Sequence, residues 1–246
     1  MRRPARSGII GGVTPADALV SLPLVLGVSA LLVWTGLARR PGLGVLGALL
    51  VVGLTLWLRG DGPVALGLSL PDAWWRTLLL ALGLGVAIQL LSAALVEPWA
   101  ERWTGEAHDH TIVDGVRGSW RAFGLWMLVV WLLVAPLEEI VFRGFLMTET
   151  ARLLGTAPWA TAINVVLGAV VFGLAHGYQG RSGVLSTGVA GALLGLVFVA
   201  SDFDLWLAIL THGFIDTVGI ALIAVGADRF IRRRRASVPR REDAHA

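Results

Sequence analysis

An all-α, polytopic bundle of about seven transmembrane helices, eight if residues 59–76 contain a re-entrant span, is the fold class this sequence predicts. Three observations lead there. Hydrophobic residues fill 56% of the 246 positions and the mean hydropathy is +0.75, more apolar sequence than a soluble core of this size needs. Several uncharged runs approach the ~20 residues that cross a ~30 Å hydrocarbon layer as a helix. All 20 basic residues are arginines, and seven of them fall between Arg229 and Arg241, which describes a basic tail beside a membrane and not a nucleic-acid footprint. The chain has no cysteine, so disulfides, thiolate metal sites and cysteine nucleophiles are excluded.

Taken in order, the chain opens with Arg2, Arg3 and Arg6 before an apolar stretch, the look of a signal peptide. The run from about Ala18 to Leu37 is too long for a signal h-region and lacks a cleavage site, so it reads as the first span. The spans fall at 17–38, 43–58, 77–98, 119–153, 158–177, 183–200 and 204–226, one transmembrane domain over 1–246 with no internal repeat. The link from Arg59 to Arg76 carries Gly60, Gly62, Pro63, Gly67, Pro71 and the pair Trp74-Trp75, and reads as interfacial, with the tryptophans at headgroup level. The link from Glu97 to Arg117 is polar and holds His108 and His110. Gly155 to Pro158 is a helix stop followed by a start. Gly191 and Gly195 form a small-xxx-small pair that lets helices approach closely.

The fourth span contains Ala135-Pro136-Leu137-Glu138-Glu139-Ile140-Val141-Phe142-Arg143, and two carboxylates at membrane depth need a reason. A charge there costs at least about 2.5–3.5 kcal/mol. Arg143 lies one turn after Glu139 on the same face, so that pair neutralises itself. Glu138 points about 100° away and has no local partner. Two further polar groups interrupt the apolar helices. His176 closes the fifth span, within Phe172-Gly173-Leu174-Ala175-His176. His212 and Asp216 share a face of the seventh, where the carboxylate is placed to fix the imidazole tautomer. If the chain reverses near residue 157, Glu138 and His176 stand at equal distances from the turn and hence at the same depth.

A carboxylate and an imidazole around one water can activate it for attack on a carbonyl, and a second imidazole can steady the oxyanion. Alternatively, Glu138, His176 and His212 make a two-His, one-carboxylate set suited to Zn²⁺ with an open position. Neither H-E-x-x-H nor G-x-S-x-G occurs. The plainer readings are structural. Glu139 with Arg143 ties helices together, His108 and His110 are solvated in a polar link, His245 belongs to the tail, and Asp202 and Asp204 border a short turn.

Glu138-Glu139-x-x-x-Arg143, Phe172-x-x-x-His176 and His212-x-x-x-Asp216, in that order on separate spans, resemble the CPBP family, which comprises the type II CAAX prenyl endopeptidases and the bacteriocin-processing or immunity proteins. The resemblance covers about residues 119–226, the expected catalytic core. It implies an intramembrane protease in which Glu138 is the general base acting on water with His176. Glu139, Arg143 and Phe172 organise the site, and His212 and Asp216 complete it. Family members are described both as metalloproteases, which would place Zn²⁺ on Glu138, His176 and His212, and as metal-free glutamate enzymes. Asp216 departs from the eukaryotic pattern, which favours Asn. An ionised Asp cannot donate to an oxyanion, so it suits orientation of His212, or of a metal ligand, better.

The expected partners are the lipid bilayer and a membrane-anchored peptide or protein substrate, with no nucleic acid. An all-Arg, Cys-free composition rich in Ala and Gly points to a bacterial cell membrane, where a prenylated substrate is not expected. Two other functions use the same residues: a proton-coupled transporter with Glu138 and the histidines as a relay, and a non-catalytic immunity or scaffold protein. The basic tail at 229–246 places the C-terminus in the cytoplasm. Counting back through seven spans then leaves Arg2, Arg3 and Arg6 outside, against the positive-inside bias.

Overall fold

The computed structural model describes residues 15–228. The basic tail and the N-terminal arginines lie outside the described residues. Among the described residues, seven helices are long and apolar enough to cross a membrane: α1 (Pro15–Leu37), α2 (Pro41–Arg59), α3 (Trp74–Thr104), α4 (Trp120–Leu154), α5 (Pro158–Ala175), α6 (Gly177–Ala200) and α7 (Leu205–Ala224). No strand occurs among the described residues. The outward faces are apolar, with Leu50 and Trp57 each 76% exposed. In water such a surface would aggregate; facing lipid, it is what a multi-pass membrane protein needs.

Three of the helices carry prolines in their interiors, α1 at Pro23, α3 at Pro98 and α4 at Pro136, and the last two solve the problem in the same way. Proline offers no N–H and its ring crowds the carbonyl four residues back. Pro98 on α3 directly follows a π-helical stretch, Ser92–Val96, and Pro136 on α4 directly follows another, Val130–Val134. The carbonyls each proline would strike, those of Ala94 and Leu132, lie inside the widened turns. This is why α3 continues to Thr104, past the end expected near residue 98. α4 is widened again at Ile140–Met147, and Asn164 on α5 donates to the Met147 carbonyl at 2.8 Å, closing a group left at the end of that wide segment. π-helical turns concentrate where side chains must be re-aimed. Glu138 and Glu139 sit between the two on α4.

α5 packs along α6 and α7 along α3, with α1 against α2, α4 and α5. The main core gathers Leu32, Phe142, Phe145, Phe172, Phe198 and Leu205 from five of the helices. The link at 60–73 holds one short 3₁₀ turn, Pro63–Leu66, and no eighth span. It plugs the end of the bundle: Leu66 is buried against Gly144, and the Gly67 carbonyl accepts from the Leu205 backbone N–H at 3.2 Å. Trp75 is exposed as expected of an interfacial tryptophan, whereas Trp74 packs edge-on against Trp206, 5.1 Å between rings. The reversal between the spans expected at 158–177 and 183–200 comes early, through the turn Gly177–Gln179, which puts His176 at the corner between α5 and α6.

One polar knot was not anticipated. Glu149 on α4 is buried and takes hydrogen bonds from Ser21 of α1 at 2.6 Å and from Arg59 of α2 at 2.6 and 3.1 Å, with Arg152 at 3.7 Å. It joins three helices far along the chain from one another. Removing one partner of a buried ion pair costs about 3–5 kcal/mol, and Arg59 retains some solvent access, so Glu149→Ala is expected to lose ~2 kcal/mol or more. A thermal-unfolding scan in detergent should show the drop, while specific activity of the folded fraction stays near wild type. An unchanged unfolding temperature would contradict this role.

Candidate active site

Adjacent residues on a helix face different ways, and here that difference separates two carboxylates by accessibility. The Glu139 side chain is 0% exposed and the Glu138 side chain 16%. Glu138 opens onto a cavity of about 560 Å³ between α3, α4, α6 and α7. Leu133 and Leu137 of α4 and Ile220 and Ile223 of α7 are among its apolar lining, and Glu138, His176, His108 and His110 among its polar lining.

Glu139 is a hub. Its Oε1 accepts from Arg143 Nη1 and from His212 Nδ1, each at 2.7 Å. Arg143 is itself buried, and its second Nη donates to the Gly191 carbonyl of α6 at 3.0 Å. Its guanidinium lies 4.4 Å from the centre of the Phe172 ring, a cation–π contact. One carboxylate thereby joins α4, α6 and α7. Gly191 permits this, since a Cβ there would come within 2.9 Å of Phe172. The small-xxx-small pair read from the sequence serves a close approach, with an added purpose as acceptor for Arg143.

His212 was expected to take its orientation from Asp216. The structure gives that task to Glu139, which holds Nδ1. The Asp216 carboxylate lies 3.6 Å from Nε2, beyond a hydrogen bond. Helical neighbours one turn apart share a face, but the hydrogen bond went to the fully enclosed carboxylate from another helix.

His176 is fixed from the other side. Its Nδ1 is 2.8 Å from the Phe172 carbonyl. A carbonyl only accepts, so Nδ1 carries a proton and, in the neutral ring, the lone pair is on Nε2. That nitrogen is 3.8 Å from Glu138 Oε2. The structure therefore brings Glu138 and His176 together, at the common level that the turn near residue 157 implied. Phe172 touches both histidine rings, with centroids 4.6 Å from His176 and 6.0 Å from His212.

Among the described residues, Glu138 Oε2 is buried without a hydrogen-bond partner. The donor types of Glu138, His176 and His212 suit Zn²⁺, and each histidine has an anchored Nδ1 of the kind that supports metal ligands. Their placement fits less well. The described three-residue group whose ligand atoms all lie within 4.8 Å of one another is Glu97, His108 and His110, and not this trio. His108 and His110, expected to be simply solvated, are half-buried in the lining of the same cavity. Sequence reasoning also passed over Tyr178, the chain's single tyrosine, whose ring is 5.6 Å from that of His176. A lone tyrosine just past a candidate histidine was the available signal.

Residues 120–218, the segment that carries every residue of this cluster, match a family model described as type II CAAX prenyl endopeptidase Rce1-like. That segment is an Rce1-like domain. It begins at the first residue of α4 and ends within α7, covering less than half of the chain. That family's motifs are the ones the sequence resembles, and the match supports an intramembrane endopeptidase of the CAAX type in the general sense, while the apolar helices fit a multi-pass membrane protein. No curated protein and no solved structure matches the chain.

Within the Rce1-like domain, Glu139→Gln is expected to act on the fold. The amide leaves Arg143 buried without its counter-charge, a loss of about 3–5 kcal/mol. The measurable result is poor recovery of monodisperse protein and a lower unfolding temperature. A Glu139→Gln protein as heat-stable as wild type would remove Glu139 from this structural role.

Proposed function

We propose that the chain hydrolyses a peptide bond of a membrane-anchored peptide or protein, with water activated between Glu138 and His176. The observation that supports this most is the buried Glu138 Oε2, unpartnered among the described residues, 3.8 Å from His176 Nε2 on the wall of the cavity. That separation is too long for a hydrogen bond and suits one bridging water.

In this reading the water gives one proton to the Glu138 carboxylate as its oxygen attacks the scissile carbonyl carbon. Its other hydrogen is held by the lone pair of His176 Nε2, which aims the oxygen. The tetrahedral intermediate then collapses as Glu138 returns the proton to the departing nitrogen, breaking the C–N bond. His212 lies between the carboxylates of Glu139 and Asp216, and this reading places a proton on both of its ring nitrogens. Its Nε2–H would then donate to the oxyanion, and Asp216 would steady the positive charge of the imidazolium without donating itself. Zn²⁺ on Glu138, His176 and His212 would supply a Lewis acid and a more acidic water. Since those ligand atoms are not gathered, no step is assigned to it. The apolar lining suits a hydrophobic chain segment lying along the membrane.

General acid–base groups contribute about 10²–10⁴-fold. Glu138→Gln and His176→Ala are each expected to lower cleavage of membrane-anchored fluorogenic peptides by at least ~10²-fold, with unfolding temperature and size-exclusion profile retained. Cleavage at the wild-type rate by both variants would end the assignment. It would also restore the transporter and scaffold readings.

For orientation, the arginine-rich tail favours a cytoplasmic C-terminus. Cysteine labelling suits a chain with none of its own. Ser237→Cys should react with a membrane-impermeant maleimide only after intact cells are opened, and labelling from outside would reverse the topology.

A further inference from the structure

The link between α3 and α4 lines part of the cavity and brings together there a set of side chains that the proteolytic reading does not use. Glu97 stands on α3 immediately after the π-helical stretch, and His108 and His110 follow on the link. His110 Nε2 is 3.9 Å from Glu97 Oε2, and the two imidazoles stack with centroids 4.2 Å apart. One ligand atom from each of the three residues lies within 4.8 Å of the other two. All three line the cavity that also contains Glu138 and His176.

The link is held on both sides of the pair. The His108 backbone N–H donates to Glu101 Oε1 at 3.0 Å, and that of Asp109 to the Gln179 carbonyl at 3.1 Å. Asp109, between the two histidines in sequence, is occupied elsewhere: Arg39 reaches it at 3.1 Å. The Thr111 hydroxyl, then its backbone N–H, hold the Asp109 carboxyl below its ordinary range. His108 also has an orienting partner. The Ser186 hydroxyl of α6 is within reach of the Ser182 and Gly183 carbonyls, at 3.0 and 3.2 Å, and of His108 Nδ1, at 3.2 Å. With its single proton given to a carbonyl, the hydroxyl oxygen accepts from Nδ1–H and leaves the His108 lone pair on Nε2. An anchored imidazole of this kind is the usual support of a metal ligand.

We propose that Glu97, His108 and His110 form a binding site for a divalent transition metal of the Zn²⁺ type, separate from the Glu138–His176 pair, which fastens the α3–α4 link to α3 on the wall of the cavity. The ligand chemistry selects the class. Two imidazoles and one carboxylate suit Zn²⁺ and its neighbours with a fourth position open, whereas Ca²⁺ and Mg²⁺ call for oxygen donors. Bonds of about 2.0–2.1 Å set tetrahedral donors roughly 3.3 Å apart, so the 3.9 Å His110–Glu97 separation closes by side-chain rotation, with the stacked rings splaying around the ion. The inference is independent of whether Glu138 and His176 are catalytic.

The test is a titration of full-length, chelator-stripped, tag-free protein in detergent with Zn²⁺ against a chromogenic competitor, repeated with Co²⁺ to read its visible ligand-field bands. Wild type is expected to bind one equivalent. His108→Ala/His110→Ala should lose that binding and the Co²⁺ bands. Glu97→Gln, which keeps both rings and the link, should bind at least ~10-fold more weakly. A Glu138→Gln/His176→Ala protein should bind as wild type does. The proposal is overturned if wild type takes up no stoichiometric ion, if Glu97→Gln retains full affinity, or if the equivalent disappears in the Glu138→Gln/His176→Ala protein, which would place the metal at the other cluster. Should the double histidine variant fail to fold, the Glu97→Gln comparison decides alone.

Discussion

A single carboxylate oxygen, Glu139 Oε1, carries the geometry of this membrane domain. It accepts from a guanidinium on its own helix and an imidazole from α7, in surroundings where no water competes. Each donor reaches further, Arg143 to the Gly191 carbonyl and over the Phe172 ring, His212 to the edge of Asp216. A charge pair of this kind contributes little net stability over an apolar equivalent, yet it is very costly to leave incomplete. That asymmetry restrains the helices: any sliding of α4 against α6 or α7 strands at least one ion in hydrocarbon. The neighbouring glutamate inherits a fixed position without forming any of these bonds, and so keeps an oxygen for chemistry.

Phe172 serves the same end with different physics. Its carbonyl sets the His176 tautomer, and its ring touches both histidines and the guanidinium. The face of an aromatic ring accepts a cation while its edges exclude water. The result is two histidines held by unlike means: His176 at Nδ1 by a backbone carbonyl, and His212 at Nδ1 by a buried carboxylate from another helix. The proposed division between base assistance and oxyanion stabilisation draws on that difference. Environment, and not residue type, produces it.

The sequence made the seven spans legible because apolar length is a strong signal when every backbone group must be satisfied internally. Glu138, Glu139, Arg143, His176, His212 and Asp216 stood out for the related reason that ionisable groups are conspicuous in apolar helices. Partnership was harder to read. Helical spacing correctly joined Glu139 to Arg143, since both lie on one helix. It misassigned the His212 tautomer to Asp216, because periodicity says nothing about a carboxylate arriving from another helix. The extent of α3 was misjudged at Pro98, and the widened turns of α4 went unseen, because a π-helical turn has no periodicity of its own to detect. Glu149 was overlooked since its partners, Ser21 and Arg59, are distant in sequence and its position near a span end looked ordinary.

The α3–α4 link follows from the same limits. Three polar residues in a hydrophilic segment read as solvated, and only the return of α3 and α6 beside them makes a half-buried cluster of Glu97, His108 and His110. Their position bears on how a protease in a membrane admits a substrate. The cavity is lined by apolar residues of α4 and α7, by Glu138 and His176, and by polar residues of the link, so under the proposed function a bound peptide would lie between hydrocarbon and the polar groups. A link tied down by a metal would keep bulk water from the cavity, and water excluded there strengthens every charge interaction around Glu138 and His176. A released link would admit water and weaken them. If the chain hydrolyses peptides as proposed, control would rest on access to the cavity, because the hub at Glu139 cannot move without stranding its charges.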